Sequence, residues 1–219
     1  PSRASILTGT YNHVNGVTTL KTPMDNRLQT FPKLLKAHGY QTGMFGKWHL
    51  GMGPDHCPTG FDDWAVLPGQ GLYHNPEFIF KGPDGGERRT VPGYATDRIT
   101  DFSLDWLKNR DPEKPFCLLC HHKAPHRPWE PDEKHADLYL NEEIPEPDTL
   151  YDDYSDRASA AAAAEMRLGV HMMATDLKCE INHELPEREL RKWAYQRYIK
   201  DYLRVVASID DNVGRILDW

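Results

Sequence analysis

Two short apolar runs with an amphipathic helix between them constrain the fold of this chain most strongly. Residues 40–46 combine small and apolar side chains, and residues 116–120 are apolar throughout, so each run predicts a buried strand. Residues 94–109 and 187–219 place apolar side chains at helical spacing, as amphipathic helices do. Strands that alternate with helices in a chain of 219 residues predict an α/β fold with helices packed on a sheet.

Composition excludes several classes of protein. A hydrophobic fraction of 39% with 27% charged residues is typical of a globular domain, and no apolar run is long enough to cross a membrane. The net charge of -7 argues against non-specific binding to nucleic acid. The four cysteines show no disulfide spacing and are expected to be free. Cys117 and Cys120 point to opposite faces of a predicted strand, so a zinc or redox site there is not expected.

Weaker signals predict the remaining elements. They are a helix over 1–9, a loop over 12–26, a helix over 31–38, a hairpin around 82–86 and helical structure over 153–178. Residues 53–93 otherwise resemble a loop. Neither an internal repeat nor a linker interrupts the chain, so one partial domain over 1–219 is predicted.

The first residues of the chain suggest an anion site. Pro1 suits the start of a helix and Gly9 suits its end. The N–H groups at the start of such a helix favour an anion, and Arg3 could share a sulfate, phosphate or carboxylate with them. An ordinary short helix with a surface arginine is the alternative.

A second group of polar residues follows the predicted strand over 40–46. In extended geometry Lys47 and His49 face the same side, with Trp48 opposed. Open α/β sheets place their ligand sites at the carboxyl ends of strands. Lys47 and His49 are therefore candidate ligand-binding residues, and a solvated strand end is the alternative.

These two segments resemble the two signatures of the type I sulfatases. One signature is a Cys or Ser, any residue, then Pro-Ser-Arg with a later Thr-Gly; the other runs from Gly-Tyr-x-Thr to Gly-Lys-Trp-His-Leu-Gly. The resemblance implies an alkaline-phosphatase-like mixed sheet flanked by helices, here incomplete at both ends, and the N-terminal part of a catalytic domain. The loop over 122–131 and the helix over 198–217 look most like bacterial carbohydrate sulfatases of the N-acetylglucosamine-6-sulfatase type.

The resemblance implies a hydrolase that removes sulfate from a sulfated carbohydrate. Arg3 would hold a formylglycine, Lys47 would contact the formylglycine and the sulfate, and His49 would position the formylglycine hydrate. His126 would bind the sulfate or protonate the leaving oxygen, a role that suits histidine because its ordinary pKa lies near neutral pH. All four are expected to share one pocket, although a solvent-exposed loop histidine is the alternative for His126.

Substrate-binding residues are predicted in the same prolyl loop. Of the two histidines that follow the strand, one could simply be packed, so His122 is the second choice after His126 and Lys123 is the third. Arg127 and Trp129 are predicted to form a sugar-binding rim, because guanidinium groups and aromatic faces suit sulfated sugars.

The implied cofactors are calcium and a formylglycine made from a Cys or Ser two positions before Pro1. Asp210, Asp211 and Asn212 lie inside a predicted helix and are not counted as calcium ligands, so no metal ligand is predicted in this chain. The chain as given is therefore expected to be inactive. The implied partners are a sulfated carbohydrate and a formylglycine-generating maturation enzyme, and analogy implies a periplasmic or secreted location.

Two other functions are compatible with the same residues. A hydrolase of phosphate or phosphonate esters with the same fold would use the same cationic groups. A non-catalytic binder of sulfated glycans would keep them without turnover. The residue two positions before Pro1 distinguishes the sulfatase from the phosphate ester hydrolase. Cys or Ser there supports formylglycine, whereas Thr favours phosphoryl transfer.

Overall fold

The two apolar runs form neighbouring parallel strands. In the computed structural model, which describes all residues Pro1–Trp219, β1 spans Gln41–Lys47 and β5 spans Phe116–His121. Three further strands, β2 (Asp63–Leu67), β3 (Glu77–Phe80) and β4 (Glu87–Thr90), complete a five-stranded sheet in the order β4-β3-β2-β1-β5. β1 is parallel to β2 and β5, whereas β2, β3 and β4 pair antiparallel. The predicted α/β class with a mixed sheet is confirmed.

The chain divides into two compact units. The first contains residues 1–123 and 209–219, and the second contains residues 124–208. This division does not test the prediction of one partial catalytic domain over 1–219, which stays a prediction.

Helices cover both faces of the sheet in the first unit. They are α1 (Ser2–Thr8), α2 (Asn12–Asn15), α3 (Phe31–Ala37) and α4 (Ala95–Asn109). Met44 packs in a core cluster with Leu7 of α1, and its neighbour Phe45 packs in a second cluster with Ile99 of α4. Successive residues of β1 thus face opposite sides, as strand geometry requires.

The cysteines follow the same alternation. Cys117 packs against the first cluster and Cys120 against the second. All four cysteines are free, as the sequence predicts.

The second unit contains few regular elements. They are a 3-10 turn over Asp148–Tyr151, the short helices α5 (Ser159–Ala162) and α6 (Ala174–Leu177), and most of α7 (Glu187–Leu217). The last residues of α7 belong to the first unit, where Asn212 Nδ2 donates to Asp97 of α4 at 2.8 Å. Residues 210–212 are therefore helical, as predicted. None of the helices combines the length and apolarity that a bilayer crossing needs.

Three sequence predictions are wrong in detail. β2 lies in the segment over 53–93 that the sequence assigned to loop and hairpin, and α2 lies in the predicted loop over 12–26. The predicted helical segment over 153–178 contains only the single turns α5 and α6. The alanines have high helix propensity, but α5 buries none of its residues, so no packing extends the turn into a helix.

The outer strand β4 is exposed along its whole length, and three of its four residues are charged. Arg88 pairs with Glu77 of β3 at 2.5 Å, and Arg89 pairs with Glu87 at 3.3 Å. The Arg89 guanidinium also lies 4.5 Å from the centre of the Phe80 ring. Cationic side chains therefore cover the apolar part of this edge.

Gly46 should be intolerant of any side chain, because its φ is +107° and an added Cβ would lie 2.0 Å from the carbonyl oxygen of His121. We expect Gly46→Ala to lower the free energy of unfolding by about 1–3 kcal/mol or more. Gly214→Ala is the matched control, since Gly214 lies in α7 with open space around it and should gain up to about 1 kcal/mol. Urea unfolding measures the free energy of unfolding of both variants. Equal stability of the two would contradict the steric argument.

Candidate functional site

The ends of β1 and β5 meet at one edge of the sheet. The strands are parallel and Gly46 pairs with His121, so Lys47 and His121, the last residues of the two strands, lie at the same edge of the sheet. From α1, Arg3 Nη1 donates to the Lys47 carbonyl oxygen at 2.8 Å and to His121 Nδ1 at 3.0 Å. Because a guanidinium can only donate, His121 Nδ1 accepts and the imidazole proton lies on Nε2. One arginine thus joins the helix to both strand ends.

The charges at this edge are cationic and have neutral partners. Lys47 is 7% exposed, and its ammonium donates to Gln70 Oε1 at 2.5 Å. Burial, reinforced by the charges of Arg3 and Lys123, lowers the pKa of Lys47 to about 8. Burial also lowers the pKa of Arg3. Buried cations without a carboxylate favour a bound oxyanion, which would compensate their charge.

The two consecutive histidines occupy different surroundings. Burial, with the Arg3 charge, lowers the pKa of His121 to about 4, so this ring is neutral at neutral pH. Burial lowers the pKa of His122 to about 4 as well. His122 Nε2 lies 3.6 Å from Cys120 Sγ, and its Nδ1 has no hydrogen-bond partner. His121, which the sequence did not select, is therefore the histidine beside Arg3.

Lys123 is buried on an aromatic surface. It is 3% exposed, and its ammonium lies 4.4 Å from the centre of the Tyr73 ring, which in turn stacks on Tyr94. A cation over an aromatic face is stabilised by the ring's quadrupole. The charge of Lys123 contributes to the lowered pKa of Lys47, so Lys123 affects the site through its charge.

His49 departs from its predicted geometry. The extended geometry expected for Lys47 and His49 is wrong, because β1 ends at Lys47 and His49 has φ +56°. Gln70, which follows β2, links the two residues instead, since its Nε2 lies 3.5 Å from His49 Nε2. No motif marked Gln70, and the only available signal was its position after an apolar run.

The other predicted site residues belong to the second unit. His126 Nδ1 donates to the Arg127 carbonyl oxygen at 2.8 Å, and Arg127 Nε donates to Asp176 at 2.7 Å. Trp129 is 5% exposed, donates to the Pro125 carbonyl oxygen at 2.8 Å and packs edge-on against Tyr198. These contacts do not test the predicted sugar-binding rim of Arg127 and Trp129.

The roles assigned to the site residues are not tested by these contacts. The catalytic roles stay predictions for Arg3, Lys47, His49 and His126, and the substrate-binding roles stay predictions for His122, Lys123, Arg127 and Trp129. The common pocket expected for the four catalytic residues also stays a prediction.

The expectation that this chain supplies no calcium ligand stays a prediction. No group of three or more His, Cys, Asp or Glu side chains is placed to hold a metal ion. Asp211 and Asn212, the acidic and amide residues of α7 that attract attention in the sequence, lie within the helix.

The pKa of Lys47 predicts a pH dependence of anion binding. Lys47 is a cation below about pH 8 and neutral above it, so the affinity of the full-length protein for inorganic sulfate should fall as pH rises through this value. Calorimetric titrations between about pH 6 and pH 10 measure the fall. Lys47→Met should bind weakly at every pH, whereas Lys108→Ala, which changes an exposed lysine of α4, should follow the unchanged protein. A pH-independent affinity would contradict the assignment.

Comparisons with known proteins identify the family of this chain. The sulfatase family profile matches residues 1–219. An N-acetylglucosamine-6-O-sulfatase of Bacteroides thetaiotaomicron is 38% identical over 100% of this chain and 46% of its own length. The human N-acetylglucosamine-6-sulfatase is 35% identical over 59% of this chain and 26% of its own length.

Solved structures give the same result. One, of a protein in complex with its substrate D-glucosamine-2-N,6-O-disulfate, superposes with a TM-score of 0.88 at 37% identity, over 100% of this chain and 51% of that chain. Another, Ps i-CgsB, shares the fold with a TM-score of 0.66 at 19% identity, over 100% of this chain and 43% of that chain. The chain thus spans about half the length of the Bacteroides relative and of the two solved structures, and it belongs to the sulfatase family.

Proposed function

We propose that the full-length protein hydrolyses a sulfate ester of a carbohydrate, with a 6-O-sulfated glucosamine as the preferred class of substrate. The observation that carries the proposal is the cationic edge of the sheet, where half-buried Arg3 and buried Lys47 form hydrogen bonds only to neutral groups. The relatives named for N-acetylglucosamine 6-sulfate support the sugar, and so does the structure that holds a disulfated glucosamine.

Arg3 and Lys47 would bind the anionic groups of the reaction. The Lys47 ammonium would contact sulfate oxygens, and the charge that develops in the transition state would strengthen this contact. Arg3 Nη1 donates one hydrogen bond to the Lys47 carbonyl oxygen and one to His121 Nδ1. These two bonds fix the plane of the guanidinium. Its remaining N–H groups could then meet an anion in a defined orientation.

His126 would act on the leaving group. Because its Nδ1 donates to a carbonyl oxygen, its Nε2 is the atom that can exchange a proton with the alcohol. Arg127, held by Asp176, would stiffen the loop on which His126 lies.

We propose a formylglycine, made from a Cys or Ser two positions before Pro1, as the nucleophile. The group would supply a hydroxyl that attacks sulfur, and the positive charge of Arg3 and Lys47 fits a hydrated, anionic group beside them. A maturation enzyme would make this group, and a periplasmic or secreted location is proposed with it. Calcium, which the family resemblance implies, would need ligands other than the residues described above, and no step is assigned to it.

Single substitutions in the full-length protein test the proposal. Lys47→Ala and His126→Ala should each lower turnover of glucosamine 6-sulfate by about 10²–10⁴-fold, because each removes a charge or a proton donor from the transition state. Sulfate release measured by ion chromatography gives the rates, and Lys108→Ala is the control on an exposed lysine.

Three further measurements separate the proposal from its alternatives. Faster release of phosphate from glucosamine 6-phosphate would favour a phosphate ester hydrolase. Binding of the sulfated sugar without release would favour a non-catalytic glycan binder. Mass spectrometry of the peptide that contains Arg3 should detect the formylglycine, and an unmodified Cys or Ser in active protein would reject that nucleophile.

A further inference from the structure

Gln70 lies against two residues that the family resemblance assigns to catalysis. It follows β2, whose last residue Leu67 pairs with Lys47 at the end of β1. Its Oε1 accepts a hydrogen bond from the Lys47 ammonium at 2.5 Å, and its Nε2 lies 3.5 Å from His49 Nε2. The side chain of one loop residue therefore spans the distance between Lys47 and His49.

The orientation of the amide follows from hydrogen-bond chemistry. An ammonium can only donate, so the oxygen of Gln70 must face Lys47 and the NH₂ group must face His49. A donor directed at His49 Nε2 favours the tautomer in which this nitrogen accepts. The amide thus orders both side chains, and it does so without a charge of its own.

The absence of a charge at this position has a consequence for anion binding. Lysine ammonium groups are commonly held by carboxylates, which neutralise them. The groups that act on Lys47 are the cations Arg3 and Lys123 and the neutral amide. A carboxylate in the place of Gln70 would hold Lys47 in the same geometry, but it would repel an oxyanion at the same ammonium.

We infer that Gln70 is a positioning residue that holds the Lys47 ammonium for the sulfate group while leaving its charge uncompensated. This inference rests on the proposed function, because it takes a sulfate as the anion. Gln70 itself does not need to touch the substrate. Gln70 fixes the position of the Lys47 ammonium and carries no charge. No other natural side chain of this length offers both properties.

The test compares Gln70→Glu with Gln70→Ala in the full-length protein. The first keeps the shape and adds a charge, and the second removes the acceptor and adds none. Gln29→Glu is the control, since Gln29 is exposed and forms no hydrogen bond in the structure. The measurements are the affinity for inorganic sulfate by calorimetry across pH, and kcat and KM for glucosamine 6-sulfate.

We expect Gln70→Glu to weaken sulfate binding and raise KM by about tenfold or more, because a negative charge faces the anion. The pH at which sulfate binding falls should rise by about one unit or more, since the carboxylate stabilises the protonated Lys47. Gln70→Ala should lower kcat/KM through the loss of a held ammonium, without that upward shift. Gln29→Glu should resemble the unchanged protein.

The outcomes separate the inference from the proposed function. If Gln70→Glu binds sulfate as well as Gln70→Ala does, or shows no upward shift, the inference is wrong. If Gln70 had only a structural role, the isosteric Gln70→Glu would be a milder substitution than Gln70→Ala. That result would also overturn the inference. If the protein binds sulfate but hydrolyses no sulfated sugar, the proposed reaction fails while the binding comparison still decides the role of Gln70. Sulfate binding that is absent at every pH would overturn both.

Discussion

The geometry of the site depends on the two hydrogen bonds that Arg3 makes to Lys47 and His121. They join residues separated by 44 and 118 positions in the chain. Hydrogen bonds from a charged donor contribute about 1.5–3 kcal/mol each, more than neutral ones. Burial lowers the pKa of His121, and the neighbouring guanidinium charge lowers it further, so the ring is neutral at neutral pH. One side chain thus joins the helix to both strand ends and also favours the neutral imidazole.

Arg3, which is half-buried, and Lys47, which is buried, oppose folding because each charge loses hydration and neither is paired with a carboxylate. The lowered pKa values of Arg3 and Lys47 express that cost. A bound oxyanion would restore the balance, so stability and ligand binding are linked in this region. The buried Lys123 ammonium is stabilised differently, because the face of the Tyr73 ring replaces part of its lost hydration. The arrangement favours anion binding over stability of the free protein.

The sequence predicts the parts of the structure that follow from local chemistry. Gly9 ends α1 with φ +66°, and the apolar spacing of α4 and the run at β5 place these elements correctly. It misses β2, because a short apolar run does not distinguish strand from loop until its neighbours are known. It selects His122 over His121 because strand register, which pairs His121 with Gly46, is a non-local property. Gln70 is missed for the same reason, since its contacts with Lys47 and His49 depend on how loops meet.

The charged outer strand β4 bears on how the protein behaves at high concentration. An unpaired strand normally offers its backbone groups to a neighbouring molecule, and sheets can grow in this way into fibrils. On β4, Arg88 and Arg89 are each paired with a glutamate, and a second copy would have to remove water from these exposed charged groups before backbone hydrogen bonds could form. Growth of intermolecular β-structure from this edge is therefore disfavoured, which helps to keep the folded protein dispersed.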